Sequence, residues 1–224
     1  MMQSSTLGST LGSTDATQLR QLLENQYQGS SLKSFKRGQT IALLPQDIWV
    51  VYRGVVQLVT LYPSGDEAVL GFAVPLMPFG TPLTVTQPYQ AIALTDVDLM
   101  RLQMADVEQS PALTQCLLQQ MRRRLQQTEA LLALASYRRV EERLIHLLNL
   151  LTQELGQPSE DGNIRLTARL THQHLANTIG TTRVTVTRLL GQLRDRGYLI
   201  LDEHRHLVIR KHLIQQAMGE SFIA

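Results

Sequence analysis

The sequence predicts an α+β chain made of a β-rich N-terminal part, one long helix and a helical C-terminal part with a small β-element. Three observations support this. Short runs rich in β-branched residues fill residues 35–102. A stretch without glycine, with leucines at heptad spacing, follows them. Two short amphipathic patterns then meet at Gly180. We therefore expect four segments, at residues 1–18, 19–103, 104–136 and 137–224.

The first segment is predicted to be a disordered tail, and the second a compact β-domain. Residues 1–18 are rich in Ser, Thr and Gly and lack the basic and apolar regions of a secretory signal. Turn signals at Gly38, at Pro63-Ser64-Gly65 and at Gly80 separate four strand-like runs at 48–52, 55–61, 68–72 and 91–94. This pattern is typical of a β-barrel or β-roll. An unrelated small β-domain is the alternative.

The third segment is predicted to be one helix, from about Met104 to Ser136. Leu118, Leu125 and Leu132 fall seven residues apart, and the second heptad position is filled by Met121, Thr128 and Ala135. Such a narrow seam predicts a dimer interface between two copies of the helix. The alternative is that this face packs on the chain's own β-domain.

The fourth segment contains a predicted helix-turn-helix. The apolar stripe of its first helix consists of Leu175, Ala176 and Ile179. Gly180 follows, where a helix end favours a residue that tolerates positive φ. Thr181 or Thr182 then offers an N-cap hydroxyl. The second helix would be buried through Val186, Leu189, Leu190 and Leu193.

The exposed face of the second helix predicts DNA binding. Arg183 and Arg188 can reach base edges, since guanidinium matches the O6 and N7 atoms of guanine, and Val184 offers a contact to a thymine methyl group. Side chains expected near phosphates are Thr171, His172, Gln173, Thr182, Thr185 and Thr187. Between residues 165 and 212, nine Lys and Arg residues stand against three Asp and Glu residues, which suits a polyanion. A ligand-binding module of the same fold without DNA-binding function is the alternative.

In the sequence Thr-Arg-Val-Thr-Val-Thr-Arg, at 182–188, the chain resembles the Crp/Fnr superfamily of bacterial transcription regulators. The similarity there is greatest to the cyanobacterial global nitrogen regulators. Residues 198–209 resemble the family's wing, and residues 53–58 and 78–80 resemble landmarks of its effector domain. The resemblance implies a cyclic-nucleotide-binding-like β-roll, a dimerisation helix and a C-terminal winged helix-turn-helix. It also implies a homodimer on palindromic double-stranded DNA, with RNA polymerase as a further partner.

The resemblance to the nitrogen regulators also implies a small-molecule effector, 2-oxoglutarate. Its pocket would be lined by Phe79, Gly80, Arg124 and Glu129. Where those relatives have a further arginine, this chain has Gln87. Weak binding of the dicarboxylate, binding of another ligand and no binding therefore all stay open. Cyclic nucleotides are not expected, because no Glu or Arg between residues 81 and 90 is available for the family's phosphate contact.

The sequence does not predict other cofactors or catalysis. Cys116 is the only cysteine, so an iron–sulfur cluster is not expected, and the first histidine, His146, lies beyond the sensor, so haem is not expected there. His172 and His174 lack further ligands at metal spacing. We find no nucleotide-binding loop or nucleophile elbow, so we do not expect an enzyme. With no apolar run long enough to span a membrane and a single cysteine, the expected location is the cytoplasm.

Overall fold

The computed structural model describes residues 20–21, 32–159 and 161–220. The disordered tail predicted at residues 1–18 lies outside the described residues. The described part contains a β-roll, two consecutive helices and a C-terminal domain of helices around a small sheet, in that order along the chain. None of the described helices combines the length and the apolar character needed to cross a membrane.

The β-roll consists of two four-stranded antiparallel sheets. Its strands are β1 (Lys33–Phe35), β2 (Thr40–Ile41), β3 (Asp47–Arg53), β4 (Val56–Leu61), β5 (Glu67–Ala73), β6 (Pro78–Phe79), β7 (Gln90–Ala93) and β8 (Val97–Gln103). The strand orders are β1-β8-β3-β6 and β2-β7-β4-β5. The four runs predicted as strands coincide with β3, β4, β5 and β7, so the predicted β-roll is confirmed.

Strand β3 is buried on both of its faces. Trp49 and Val51 belong to the main apolar core, where Trp49 meets Phe35 edge to face with the ring centroids 6.2 Å apart. Ile48 and Val50, which alternate with them, belong to a second apolar cluster that includes residues of the following helices. Because successive strand residues point to opposite faces, this strand packs with one face in the core of the roll and with the other against the two helices that follow the roll.

The prediction of one uninterrupted helix from Met104 to Ser136 is wrong. The structure has two helices, α1 (Met104–Gln109) and α2 (Pro111–Leu134). Ser110 between them is extended, with φ of −114° and ψ of 100°, and its hydroxyl accepts a hydrogen bond from the backbone N–H of Leu113. Pro111 has no N–H to continue the first helix but is favourable in the first turn of the second.

The predicted heptad seam lies on the exposed side of α2. Leu118, Leu125 and Leu132 are 68, 58 and 73% exposed, so they do not pack on the chain's own β-domain. Leu113, Leu117 and Leu134 of the same helix are buried instead. The alternative in which the seam covers the β-roll is therefore excluded for these three leucines.

The C-terminal domain contains α3 (Val140–Glu154), β9 (Gly156–Pro158), β10 (Ile164–Leu166), α4 (His172–Ile179), α5 (Arg183–Asp195), β11 (Leu199–Leu201), β12 (Leu207–Ile209) and α6 (Lys211–Glu220). Its strands form one antiparallel sheet in the order β11-β12-β10-β9. The two strands predicted for the wing are β11 and β12. Strands β9 and β10 were not predicted, since their three-residue runs are too short to show an alternating pattern.

Candidate nucleic-acid interface

Helices α4 and α5 form a helix-turn-helix whose turn is specified by local capping. Thr171 caps α4 by accepting from the backbone N–H of His174, whose ring in turn accepts from the N–H of Thr171. Gly180 ends α4 in the left-handed conformation, with φ of 62° and ψ of 56°. Of the two candidate caps for α5, Thr182 is the cap, and its hydroxyl accepts from the N–H of Thr185. These contacts fix where α5 begins.

One face of α5 is buried and the opposite face is open to a ligand. The buried residues are those predicted from the periodicity, namely Val186, Leu189, Leu190 and Leu193. On the other face Arg183 and Arg188 are exposed, and Val184 is 78% exposed. Among the described residues neither arginine forms an ion pair, and Arg188 donates only a 3.3 Å hydrogen bond to Gln192. Both guanidinium groups therefore keep free donors.

One of the hydroxyl groups expected near phosphates, that of Thr187, also links the two helices. The hydroxyl of Thr187 donates to the carbonyl of Arg183 and lies 2.7 Å from Nδ1 of His172. Thr182 and Thr185 lie within hydrogen-bond distance of each other, at 2.9 Å between their Oγ1 atoms. Burial lowers the pKa of His172, and the charge of Arg183 lowers it further. A neutral His172 can therefore donate from Nδ1 to Thr187 and link α4 to α5.

The wing turn is held by an ion pair that sequence reasoning missed. Arg165 of β10 contacts Asp202 at 2.6 Å, and Asp202 also accepts from the backbone N–H of His206 at 2.7 Å. Arg205, in the same turn, is exposed and has a φ of 62°. Asp202 follows the predicted strand directly, but nothing in the local pattern identifies Arg165, which is 37 residues earlier, as its partner.

A second group of predicted residues meets between the β-roll and α2. Arg124 donates to the carbonyl of Pro78 at 3.0 Å and to the hydroxyl of Tyr89 at 2.9 Å. Phe79 and Gly80 are buried beside Pro78. A Cβ on Gly80 would lie 2.4 Å from the backbone oxygen of Asp47, so the close approach of the two segments requires glycine. Three of the four residues expected to line the effector pocket, Phe79, Gly80 and Arg124, therefore lie close together.

Tyr89 and Glu129 differ from the expectation for this region. The sequence gives no local signal for Tyr89, which ends the loop that begins at Gly80. Burial raises the pKa of Tyr89 and the charge of Arg124 partly opposes that effect, so the phenol stays neutral and does not compensate the guanidinium. Glu129 is exposed, and within the described part of the chain its carboxylate makes no hydrogen bond or ion pair. No three His, Cys, Asp or Glu side chains among the described residues could share a metal ion.

Comparison with known proteins identifies a helix-turn-helix domain in the C-terminal part and relates most of the chain to bacterial regulators. Residues 142–212 match the Crp-like helix-turn-helix domain. A global nitrogen regulator of Synechocystis sp. PCC 6803 is 35% identical over 187 residues, which cover 78% of this chain and 82% of the relative. The regulatory protein CysR of Synechococcus elongatus is 35% identical over 166 residues, 73% of this chain and 76% of the relative.

The fold is also found in solved structures. A CRP-family transcriptional regulator from Thermus thermophilus superimposes with a TM-score of 0.71, at 21% identity, over 84% of this chain and 96% of that one. The identity supports the fold alone, whereas the sequence relatives support the family. The chain belongs to the Crp/Fnr superfamily of sequence-specific DNA-binding transcription regulators, and within it the chain is close to the cyanobacterial global nitrogen regulators.

Proposed function

We propose that the chain binds a palindromic operator as a homodimer, with α5 of each copy in the major groove. The observation that carries this proposal is the exposed face of α5, where two arginines without ion-pair partners among the described residues flank a 78% exposed valine. Exposed cations beside an apolar group suit a DNA groove, where phosphates, guanine edges and thymine methyl groups lie close together.

Base recognition is assigned to three residues of α5. Arg183 and Arg188 donate pairs of hydrogen bonds to guanine, and Val184 contacts a thymine methyl group. The similarity of this helix to that of the nitrogen regulators favours GTA and TAC half-sites about eight base pairs apart, which puts their centres roughly one helical turn from each other. Register is fixed by phosphate contacts from Thr171, His172, Gln173, Thr182, Thr185 and Thr187.

Dimerisation is assigned to the heptad seam of α2, formed by Leu118, Met121, Leu125, Thr128, Leu132 and Ala135. Its three leucines are exposed in the single chain, and an apolar row at heptad spacing is buried well by a second copy of the same helix. A two-fold axis along this seam presents two α5 helices to the two halves of a palindrome.

The proposed effector is a small anion such as 2-oxoglutarate, bound near Phe79, Gly80 and Arg124, with Glu129 as a further candidate contact. Arg124 is partly buried, and among the described residues its charge is met by a carbonyl and a neutral phenol rather than by a carboxylate. Its remaining N–H groups can bind an anionic oxygen.

We further propose RNA polymerase as a partner and the cytoplasm as the location, and we assign the chain no catalytic activity.

The test is the substitution Arg188→Ala with Arg194→Ala as its matched control. Arg194 is also an exposed arginine of α5, but it lies in the last turn beside Asp195. We expect Arg188→Ala to lose about 1–3 kcal/mol of operator binding per half-site and to relax base preference at one position of each half-site. Arg194→Ala should change binding to operator and random duplex alike. If Arg188→Ala keeps the full base preference in fluorescence anisotropy titrations, the assignment is wrong.

A salt titration distinguishes the regulator from a ligand-binding module. A DNA-binding surface releases condensed counterions from the phosphates when it binds random duplex. Since this release is less favourable at higher salt, the logarithm of the affinity falls linearly with the logarithm of the salt concentration. A module without DNA-binding function shows no measurable binding at low salt, and therefore no such slope.

A further inference from the structure

A hydrogen-bonded chain of three side chains connects the β-roll to the helix-turn-helix. Glu67 opens strand β5, and its Oε2 atom accepts from Nδ2 of Asn177 on α4 at 3.1 Å. Asn177 in turn accepts at Oδ1 from Nε2 of Gln173, one turn earlier on α4, at 2.6 Å. Glu67 and Asn177 are 110 residues apart in sequence, so these hydrogen bonds join the β-roll to the C-terminal domain.

The carboxylate determines how both amide groups are turned. An ionised carboxylate only accepts hydrogen bonds, so Asn177 must direct its nitrogen towards Glu67 and its oxygen towards Gln173. Gln173 must then direct its own nitrogen towards Asn177. An exposed glutamine otherwise samples many rotamers, and ordering its side chain costs conformational entropy. Glu67 thus favours one arrangement of Gln173, whose second N–H stays available.

A second contact holds the same helix start against the β-roll. Arg37 donates from Nη2 to the backbone oxygen of Arg169 at 3.0 Å, just before the cap residue Thr171. This hydrogen bond involves neither Gln173 nor Glu67, so docking of the helix does not depend on Glu67 alone. Loss of Glu67 should therefore release the Gln173 side chain while α4 stays in place.

We propose that Glu67 is a positioning residue for DNA binding, which acts through Asn177 to hold Gln173 ready for a phosphate. This inference rests on the proposed phosphate contact of Gln173. It gives the β-roll a direct hydrogen-bonded influence on the DNA-binding surface, through residues that lie outside the region of Arg124.

The experiment is a double-mutant cycle on operator affinity with the full-length chain. Asp66→Ala is the matched control for Glu67→Ala, because it removes the same charge from the neighbouring position, where among the described residues the carboxylate accepts only from the nearby Ser64 hydroxyl. We expect Glu67→Ala to bind operator roughly two- to fivefold more weakly than Asp66→Ala, and Gln173→Ala to lose roughly three- to tenfold. When Gln173→Ala is already present, adding Glu67→Ala or Asp66→Ala should give the same operator affinity. Glu67→Gln keeps an acceptor but can also donate, so it no longer fixes the orientation of Asn177, and its affinity should lie between those of Glu67→Ala and Asp66→Asn.

Three results overturn the inference. Equal affinities of Glu67→Ala and Asp66→Ala show that Glu67 has no role beyond its charge. If Glu67→Ala still weakens operator binding when Gln173→Ala is present, Glu67 acts by docking α4 on the β-roll and not by positioning Gln173. If Gln173→Ala binds operator as well as the wild type does, the Gln173 side chain does not contribute to binding, and Glu67 cannot act through it. If Arg188→Ala still relaxes base preference in any of these cases, the proposed function stands, whereas a wild-type chain without operator binding contradicts both.

Discussion

Replacing Leu125 by Asp should separate the proposed homodimer. Leu125 lies in the middle of the exposed seam of α2, between Leu118 and Leu132. In a dimer built on this seam the two copies of Leu125 lie close to the two-fold axis. The substitution therefore removes two apolar side chains and places two carboxylates where water is excluded.

The size of the effect follows from the exposed surface. Full burial of a leucine side chain is worth about 1.5–3 kcal/mol. Leu125 is 58% exposed in the single chain, so its burial by a partner contributes about 1–2 kcal/mol per copy. Leu125→Ala should then weaken the dimer by about 2–4 kcal/mol, on the order of 30- to 1,000-fold in its dissociation constant. Leu125→Asp should weaken it further, since the carboxylates lose hydration.

Sedimentation equilibrium over a range of micromolar concentrations measures this directly. Gln126→Asp is the control, because Gln126 is also exposed but lies about 100° further round the helix. We expect the control to stay dimeric and Leu125→Asp to be monomeric, with a thermal unfolding transition in both. A Leu125→Asp variant that remains dimeric at the same concentrations would refute the assignment of the seam.

Two further predictions concern a titrating side chain and the effector. Burial lowers the pKa of His146, with partial opposition from Glu142, so the unfolded chain binds more protons and the free energy of unfolding should fall as pH drops below about 6.5. His146→Phe, which keeps a ring against Tyr137, should reduce that fall in urea unfolding at pH 5 and pH 8; an unchanged pH dependence contradicts the cause. 2-Oxoglutarate should raise the melting temperature of the wild-type chain and not of Arg124→Ala, whereas equal shifts in both would place the ligand elsewhere.

The helix-turn-helix was predictable because its determinants are local. Apolar spacing defines the buried faces of α4 and α5, Gly180 supplies the left-handed residue, and a hydroxyl at Thr182 caps the next helix. Each of these signals involves residues within one or two turns of each other. The break at Ser110-Pro111 has an equally local signal, since a proline that follows a hydroxyl residue marks a helix start.

The remaining contacts could not be predicted from local pattern. Arg124 meets Tyr89 across 35 residues, and Glu67 meets Asn177 across 110. Such pairs depend on how the β-roll, α2 and the C-terminal domain pack, and periodicity specifies only which face of each element is buried. The resemblance to the nitrogen regulators identifies Arg124 as a candidate, whereas the place of Tyr89 beside the guanidinium depends on where the loop after Gly80 ends.

The seam and the recognition helix depend on each other energetically, although they lie on different elements. A dimer binds its second half-site intramolecularly, at an effective concentration far above that of a free monomer. A monomer loses this advantage while each of its arginines stays intact. Leu125→Asp should therefore weaken binding to a full palindrome more than any single base contact does, yet leave binding to an isolated half-site close to that of the wild type. Arg188→Ala should weaken both. The ratio of full-site to half-site affinity thus separates damage to the dimer from damage to the DNA-binding surface.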